Sequence, residues 1–286
     1  MSAAYPPLII DPAHPVVDVH WLATRLGAPG LVVLDASIPP HGPQPVRIPT
    51  ARRFDLEGPL SDQSAALPHT MISPGQFQTQ ARRLGAREGG AVVVYDTAQL
   101  FSAPRAWWMF VAMGYEQVAV LDGGLAGWTA TGRELSAWDP DDATRDAGGD
   151  LVARPRDGLI VDADRVAEAL AGGEATVIDA RSAARFAGAT GEPRPGMRSG
   201  HMPGARHLFF GDVQAEGRMR PAGELRDLID AAADGRDRLV FSCGSGLTAC
   251  VDALAARLAG YAHIAVYDGS WSQWGAAGSG RPVVTG

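Results

Sequence analysis

Lysine is missing from this chain: all 25 basic residues are arginine. That absence removes phosphate binding by a P-loop lysine and every lysine Schiff-base mechanism, pyridoxal phosphate chemistry included. Cysteine is scarce, with Cys243 and Cys250 as the two examples, so a disulfide framework is excluded. With one on a turn and the other on the helix after it, they would sit about 10 Å apart at helical rise. A strain-free bridge does not span that distance. No run approaches the roughly 20 apolar residues of a membrane span. Residues 1–15 lack a basic segment followed by an apolar one, the mark of a secretory leader. A reducing cytoplasm is the expected compartment, and no membrane partner is expected. A net charge of −7 argues against broad nucleic-acid binding. His201 and His207 stand six apart with no third ligand nearby, so no metal site is expected.

What the chain does contain is an apolar fraction of 46%, enough for real cores over 286 residues. It also contains itself twice. Val17-Asp18-Val19 matches Val161-Asp162-Ala163, and Val33-Leu34-Asp35-Ala36 matches Val177-Ile178-Asp179-Ala180, both at an offset of 144. Val93-Val94-Tyr95-Asp96 parallels Val240-Phe241-Ser242-Cys243 at 147. Gly114-Tyr115 parallels Gly260-Tyr261, and Asp122-Gly123-Gly124 with Trp128 parallels Asp268-Gly269-Ser270 with Trp274, all at 146. A near-constant offset over five segments predicts two similar domains.

Each copy alternates short β-branched runs with helical patterns. Val32–Leu34, Val92–Val94, Val118–Leu121 and Leu239–Phe241 read as buried parallel strands. Pro74–Leu84, Ala103–Met113 and Leu247–Leu258 read as helices. The fold class is α/β, with two tandem domains, each a mostly parallel central sheet flanked by helices. The stretch 138–157 is polar and rich in Asp, Gly and Pro. It reads as a linker between residues 1–137 and 158–286.

Ser242-Cys243-Gly244-Ser245-Gly246-Leu247-Thr248 joins a strand end to a helix start. Strand carboxyl ends carry ligands in parallel sheets. Inward N–H groups of a glycine-bearing turn and the helix dipole both favour a thiolate, the nucleophilic form. Cys243 is therefore the candidate nucleophile. Cys250 falls inside the helix and reads as a core thiol.

The loop Cys243-Gly-Ser-Gly-Leu-Thr248 resembles that of the two-domain rhodanese-type sulfurtransferases, in its 3-mercaptopyruvate form. Asp122-Gly-Gly…Trp128, Asp268-Gly-Ser…Trp274, Ser102-Ala-Pro-Arg105…Trp107-Trp108 and Gly200-His201-Met-Pro-Gly-Ala205 extend the resemblance over nearly the whole chain. It implies an inactive N-terminal rhodanese-like domain and a catalytic C-terminal one, which agrees with Asp96 standing opposite Cys243. It also implies that Cys243 carries sulfur as a persulfide, cradled by Gly244, Gly246, Leu247 and Thr248. Arg185, in Asp179-Ala-Arg-Ser-Ala-Ala-Arg-Phe186, and Arg194, in Gly191-Glu-Pro-Arg, occupy the positions of the substrate-carboxylate arginines. Arginine forks suit carboxylates on general grounds too. Ser245, with His69 and Glu57 from the N-terminal half, would relay a proton to the leaving group. Arg181 and His201 are expected to be structural.

The donor implied is 3-mercaptopyruvate, with a thiol, thioredoxin among the candidates, or cyanide as acceptor, and no cofactor. Thiosulfate is the alternative donor on the same fold. Relatives that prefer it carry basic residues directly after the cysteine, where this chain has Gly244 and Ser245. A cysteine phosphatase would want an arginine six residues after the nucleophile, and position 249 is alanine. A non-enzymatic binding module on this fold is the other alternative, and the presence of Cys243, which such modules often lack, argues against it.

Overall fold

The computed structural model describes residues 5–42, 44–139, 141 and 145–286. It divides into two compact units. The first comprises residues 1–63, 71–156 and 216–218, and the second 64–70, 157–215 and 219–286.

The first unit is built on strands β1 (Val16–Val17), β2 (Leu31–Asp35), β4 (Arg52–Arg53), β5 (Ala91–Tyr95) and β6 (Val118–Leu121). They form one parallel sheet in the order β1-β6-β5-β2-β4. A short antiparallel pair, β3 (Val46–Arg47) with β7 (Ser136–Ala137), lies beside it. Helices α1 (Val19–Ala23), α2 (Pro74–Arg83), α3 (Ala103–Ala112) and α4 (Gly124–Ala130) complete the unit. Every residue of β5 and β6 is buried, so these strands read as unbroken apolar runs. One core gathers Leu22, Val33, Val93, Tyr95, Ala119, Leu121 and Trp128.

The second unit repeats this plan with β8 (Ile160–Val161), β9 (Thr176–Asp179), β10 (Arg206–His207), β13 (Arg238–Ser242) and β14 (His263–Tyr267). Two short strands, β11 (Gln214–Ala215) and β12 (Arg218–Met219), lie between β10 and β13 in sequence. The main sheet is again parallel, in the order β10-β9-β13-β14-β8. Taken strand by strand from the first in sequence, both sheets run first, fifth, fourth, second, third. The helices are α5 (Ala163–Gly172), α6 (Ala183–Phe186), α7 (Ala222–Ala233), α8 (Ala249–Leu258) and α9 (Ser270–Trp274). Val177, Val240, Ala265, Tyr267, Trp271 and Trp274 form the core on the α5 and α9 side.

The duplication extends to helix caps. Asp18 caps α1 by accepting the Trp21 N–H at 2.6 Å, and Asp162 caps α5 from the matching position with the Asp164 and Arg165 N–H groups. Ser73 and Gln76 close a capping box on α2, with Pro74 in its first turn.

The stretch expected to be a linker is packed instead. Gly149 donates to Arg82 O, Leu151 to Ala86 O, Arg154 to Met113 O and Arg156 to Ala112 O. Residues 145–156 thus lie along the first unit, with Leu151 fully buried. Polar composition concealed this because the bonds are backbone bonds, which composition does not report. Pro140 and residues 142–144 lie outside the described residues. Helix α8 begins at Ala249 rather than at Leu247, leaving Leu247 and Thr248 in the loop.

Candidate active site

Cys243 follows the last residue of β13 and opens the loop that runs into α8. Leu239, Val240 and Phe241 bury the strand behind it, and eight of ten α8 residues are buried ahead of it. Its position is therefore fixed at both ends by packed elements. Of residues 243–248, all but Gly244 are buried. Gly246 has φ +75°, a left-handed conformation that glycine adopts without strain.

The loop is tied down from one side by the start of α9. Ser270 Oγ accepts the Cys243 N–H at 3.1 Å and donates to Tyr267 O at 2.7 Å. The Trp271 N–H donates to Cys243 O at 2.9 Å, and both the N–H and the hydroxyl of Ser272 donate to Gly244 O, at 2.9 and 2.7 Å. Ser270 holds φ +45°, a conformation that serine adopts at a cost. In the first unit this position is Gly124, where a Cβ would lie 2.4 Å from Asp96 O. Ser270 was not among the residues singled out from sequence. Its signal was there, as a serine breaking the repeat where the other copy has glycine.

The first unit shows what the loop geometry holds. Asp96, opposite Cys243, is fully buried and accepts N–H groups from Ala98, Leu100, Ser102 and Ala103 at 2.7 to 3.0 Å. The turn after the fourth strand is an anion nest, filled there by the chain's own carboxylate. At the offset of 147 the first three donors correspond to Ser245, Leu247 and Ala249. The last corresponds to Cys250, whose N–H bonds Leu247 O at 3.1 Å. The Cys250 thiol donates to Gly246 O at 3.4 Å and is buried, as a core thiol should be.

Three side chains reach this loop. Ser245 Oγ and His69 Nδ1 are hydrogen-bonded at 2.9 Å, both buried. Residues 64–70, though early in the chain, belong to the second unit, which is how His69 arrives there. Arg194 Nη2 donates to Ser245 Oγ at 3.5 Å. A Cβ on Gly244 would meet Arg185 Nη2 at 3.3 Å and Arg194 Nη1 at 3.7 Å. Both guanidiniums thus lie against the loop at Gly244, with Arg185 the closer. Glu57 belongs to the first unit, where it is exposed, its N–H donating to Asp55 Oδ1 and its carbonyl accepting from Gln63.

Arg185 is held by Glu192, which sequence reasoning passed over. Glu192 Oε2 accepts Arg185 Nη2 at 2.5 Å, and Oε1 accepts Arg185 Nε at 3.1 Å and Arg181 Nη1 at 2.8 Å. Arg181 is fully buried, bidentate on Asp179 at the end of β9 and stacked on Trp271 at 4.1 Å. Its role is structural, as expected from the sequence. So is that of His201, which stacks on Phe186 at 3.8 Å and bonds Phe186 O, fixing the end of α6. Arg198 is spent on the carbonyls of Trp274, Gly275 and Arg281.

A second overlooked residue is Asp252, in the first turn of α8. It is fully buried and neither carboxylate oxygen has a hydrogen-bond partner. Burial pushes its carboxyl well above the usual range, and the nearby Cys243, Asp179 and Asp212 push the same way. Among the described residues, no group of His, Cys, Asp and Glu is arranged to hold a metal ion, and no helix is long and apolar enough to cross a membrane.

The rhodanese-like domain family model matches residues 18–131 and 162–277, once on each unit's sheet. The 3-mercaptopyruvate sulfurtransferase of Escherichia coli K12 is 36% identical over 270 residues, covering 91% of this chain and 94% of that protein. The mitochondrial thiosulfate/3-mercaptopyruvate sulfurtransferase 1 of Arabidopsis thaliana is 35% identical over 300 residues, covering 96% and 79%. The crystal structure of SseA from Escherichia coli superposes with a TM-score of 0.78 at 33% identity, covering 90% of this chain and 98% of that one. With two family domains, a shared architecture and a cysteine on the second domain's loop, this chain belongs to the rhodanese family.

Proposed function

We propose that this protein is a sulfurtransferase that takes sulfur from 3-mercaptopyruvate, carries it as a Cys243 persulfide, releases pyruvate and passes the sulfur to a thiol or cyanide. The observation that carries this reading is the convergence of Arg185 and Arg194 on Gly244, beside a cysteine in an anion-holding turn. The names of the relatives support the donor class.

The donor's carboxylate pairs with the guanidinium forks of Arg185 and Arg194. That places the thiol carbon over the loop. The Cys243 thiolate attacks the donor sulfur, and an S–S bond forms as the donor's C–S bond breaks. The electron pair of that bond leaves on carbon as pyruvate enolate. Ser245, hydrogen-bonded to His69, passes the enolate a proton and gives pyruvate. Glu57 keeps the assisting role that the family resemblance implies. The N–H groups of Ser245, Leu247 and Ala249, whose counterparts hold the Asp96 carboxylate, receive the charge on the outer persulfide sulfur. An acceptor thiolate, thioredoxin being the protein candidate, or cyanide attacks that sulfur and regenerates the Cys243 thiolate. The chemistry needs no metal or organic cofactor. Two free cysteines, one of them the nucleophile, fit a reducing compartment such as the cytoplasm.

The test is intact mass spectrometry after incubation with 3-mercaptopyruvate and, separately, with thiosulfate. One added sulfur on the wild type, absent from Cys243→Ser, is the expected result. No added sulfur from either donor, or pyruvate release retained by Cys243→Ser, refutes the assignment. Glu57→Gln and His69→Gln are expected to slow pyruvate release while leaving the protein folded.

A further inference from the structure

Resting on that reading of Arg185 and Arg194 as donor-binding groups, we propose that Glu192 sets the charge of the donor site and thereby selects monoanionic over dianionic sulfur donors.

The argument is a charge count around one cluster. Arg185 and Arg194 bring two positive charges to Gly244, and the enclosed Arg181 behind them adds a third to the cluster. Asp179 and Glu192 bring two negative charges and are ion-paired to two of those arginines. One net positive charge remains, and it sits on Arg194. Asp179 is committed to Arg181, which is wholly enclosed and faces no donor. Glu192 is different, because it neutralises a guanidinium that reaches the loop. The Glu192 side chain is itself 3% exposed, so water does little to screen its carboxylate.

A donor with one carboxylate brings one negative charge, and its thiol is neutral. Thiosulfate brings two. With the Cys243 thiolate the cluster is neutral, so a monoanionic donor leaves it at −1 and thiosulfate at −2, a penalty that grows with the donor's charge. Bidentate capture by Glu192 also occupies the Nε–Nη2 edge of Arg185 and fixes the plane of its guanidinium, so a donor is met by the remaining edge. Glu192 thus filters by charge and by geometry at once.

The experiment measures kcat/KM for both donors in wild type, Glu192→Gln and Glu192→Asp. Glu192→Gln is expected to raise the thiosulfate-to-3-mercaptopyruvate ratio by about tenfold, equivalent to about 1.4 kcal/mol. Glu192→Asp keeps the charge and is expected to hold the ratio within about twofold of wild type, even if both constants fall. Should turnover be too slow to measure, protection of Cys243 from alkylation by pyruvate against protection by sulfate reads the same selectivity. A Glu192→Gln ratio equal to wild type, or an equal fall for both donors, makes Glu192 a brace for Arg181 and Arg185 and overturns the proposal. A wild type that gains no sulfur on Cys243 refutes the underlying function instead, so the two failures are distinguishable.

Discussion

The turn at Asp96 and the turn at Cys243 are the same structure put to two uses. Both follow the fourth strand of an identically ordered sheet, and both precede a buried helix. Both tie the turn's first carbonyl to the same later N–H, Leu125 to Asp96 O and Trp271 to Cys243 O. In the first unit an aspartate fills the nest with its own charge, and the turn is closed. In the second a thiol stands where the aspartate does, and no carboxylate of the chain's own fills the turn. The difference teaches that the anion-holding property belongs to the backbone. The side chain at one position decides whether the turn is filled by the chain's own carboxylate or left to another group.

The comparison breaks most completely at the nucleophile. Cys243→Ser is expected to abolish sulfur transfer, measured as pyruvate release, without unfolding the protein. A hydroxyl at this position keeps the loop but cannot form a persulfide.

The first turn is expected to fail in the opposite way. Asp96→Ala strands several buried N–H donors and is expected to cost about 3 kcal/mol. For a protein of this size that lowers Tm by roughly 6–12 °C. Activity per folded molecule should persist. A large loss of turnover with an unchanged Tm would show that the first turn does more than hold its own unit together.

Ser270→Gly writes the first unit's residue into the second. It relieves the strain at φ +45° but removes the hydroxyl that holds the Cys243 N–H. Stability should change little, since the two effects oppose one another. The rate of Cys243 alkylation and kcat are expected to fall by about tenfold, the equivalent of one hydrogen bond of about 1.4 kcal/mol.

The smallest effect concerns Asp252, whose equivalent at the offset of 147 in the first unit is Arg105. Burial raises the folded-state pKa of Asp252 above its unfolded value. The favourable protonated form is therefore fully present below the ordinary carboxylate range. Stability is lost as pH rises from there through the raised folded pKa. Asp252→Asn removes this term. Its Tm should exceed that of wild type by roughly 2–4 °C at pH 8, with the gap closing as pH falls toward 4. A gap independent of pH would mean that Asp252 is not the titrating group.

Much of this was legible in the residues. The near-constant offset announced two copies, the β-branched runs marked the sheets, and the strand–turn–helix pattern located Cys243. Arg185 and Arg194 were found through motif position, and the structure brings both to Gly244. Glu192 and Asp252 were missed for a common reason. An acidic residue in sequence looks like surface charge, and only burial distinguishes the two. The segment 138–157 was misread because its polarity hid backbone bonds to α2 and α3.

By itself the sequence determined the duplication, the α/β class and which copy carries a cysteine after its fourth strand. Those properties are periodic or local, so they are written in the order of residues. Only the tertiary structure decided that residues 64–70 pack as part of the second unit, that Ser270 holds the Cys243 N–H and that Glu192 neutralises Arg185. Each depends on residues distant in sequence or on the exclusion of water, and neither distance in space nor dielectric surroundings can be read along a chain.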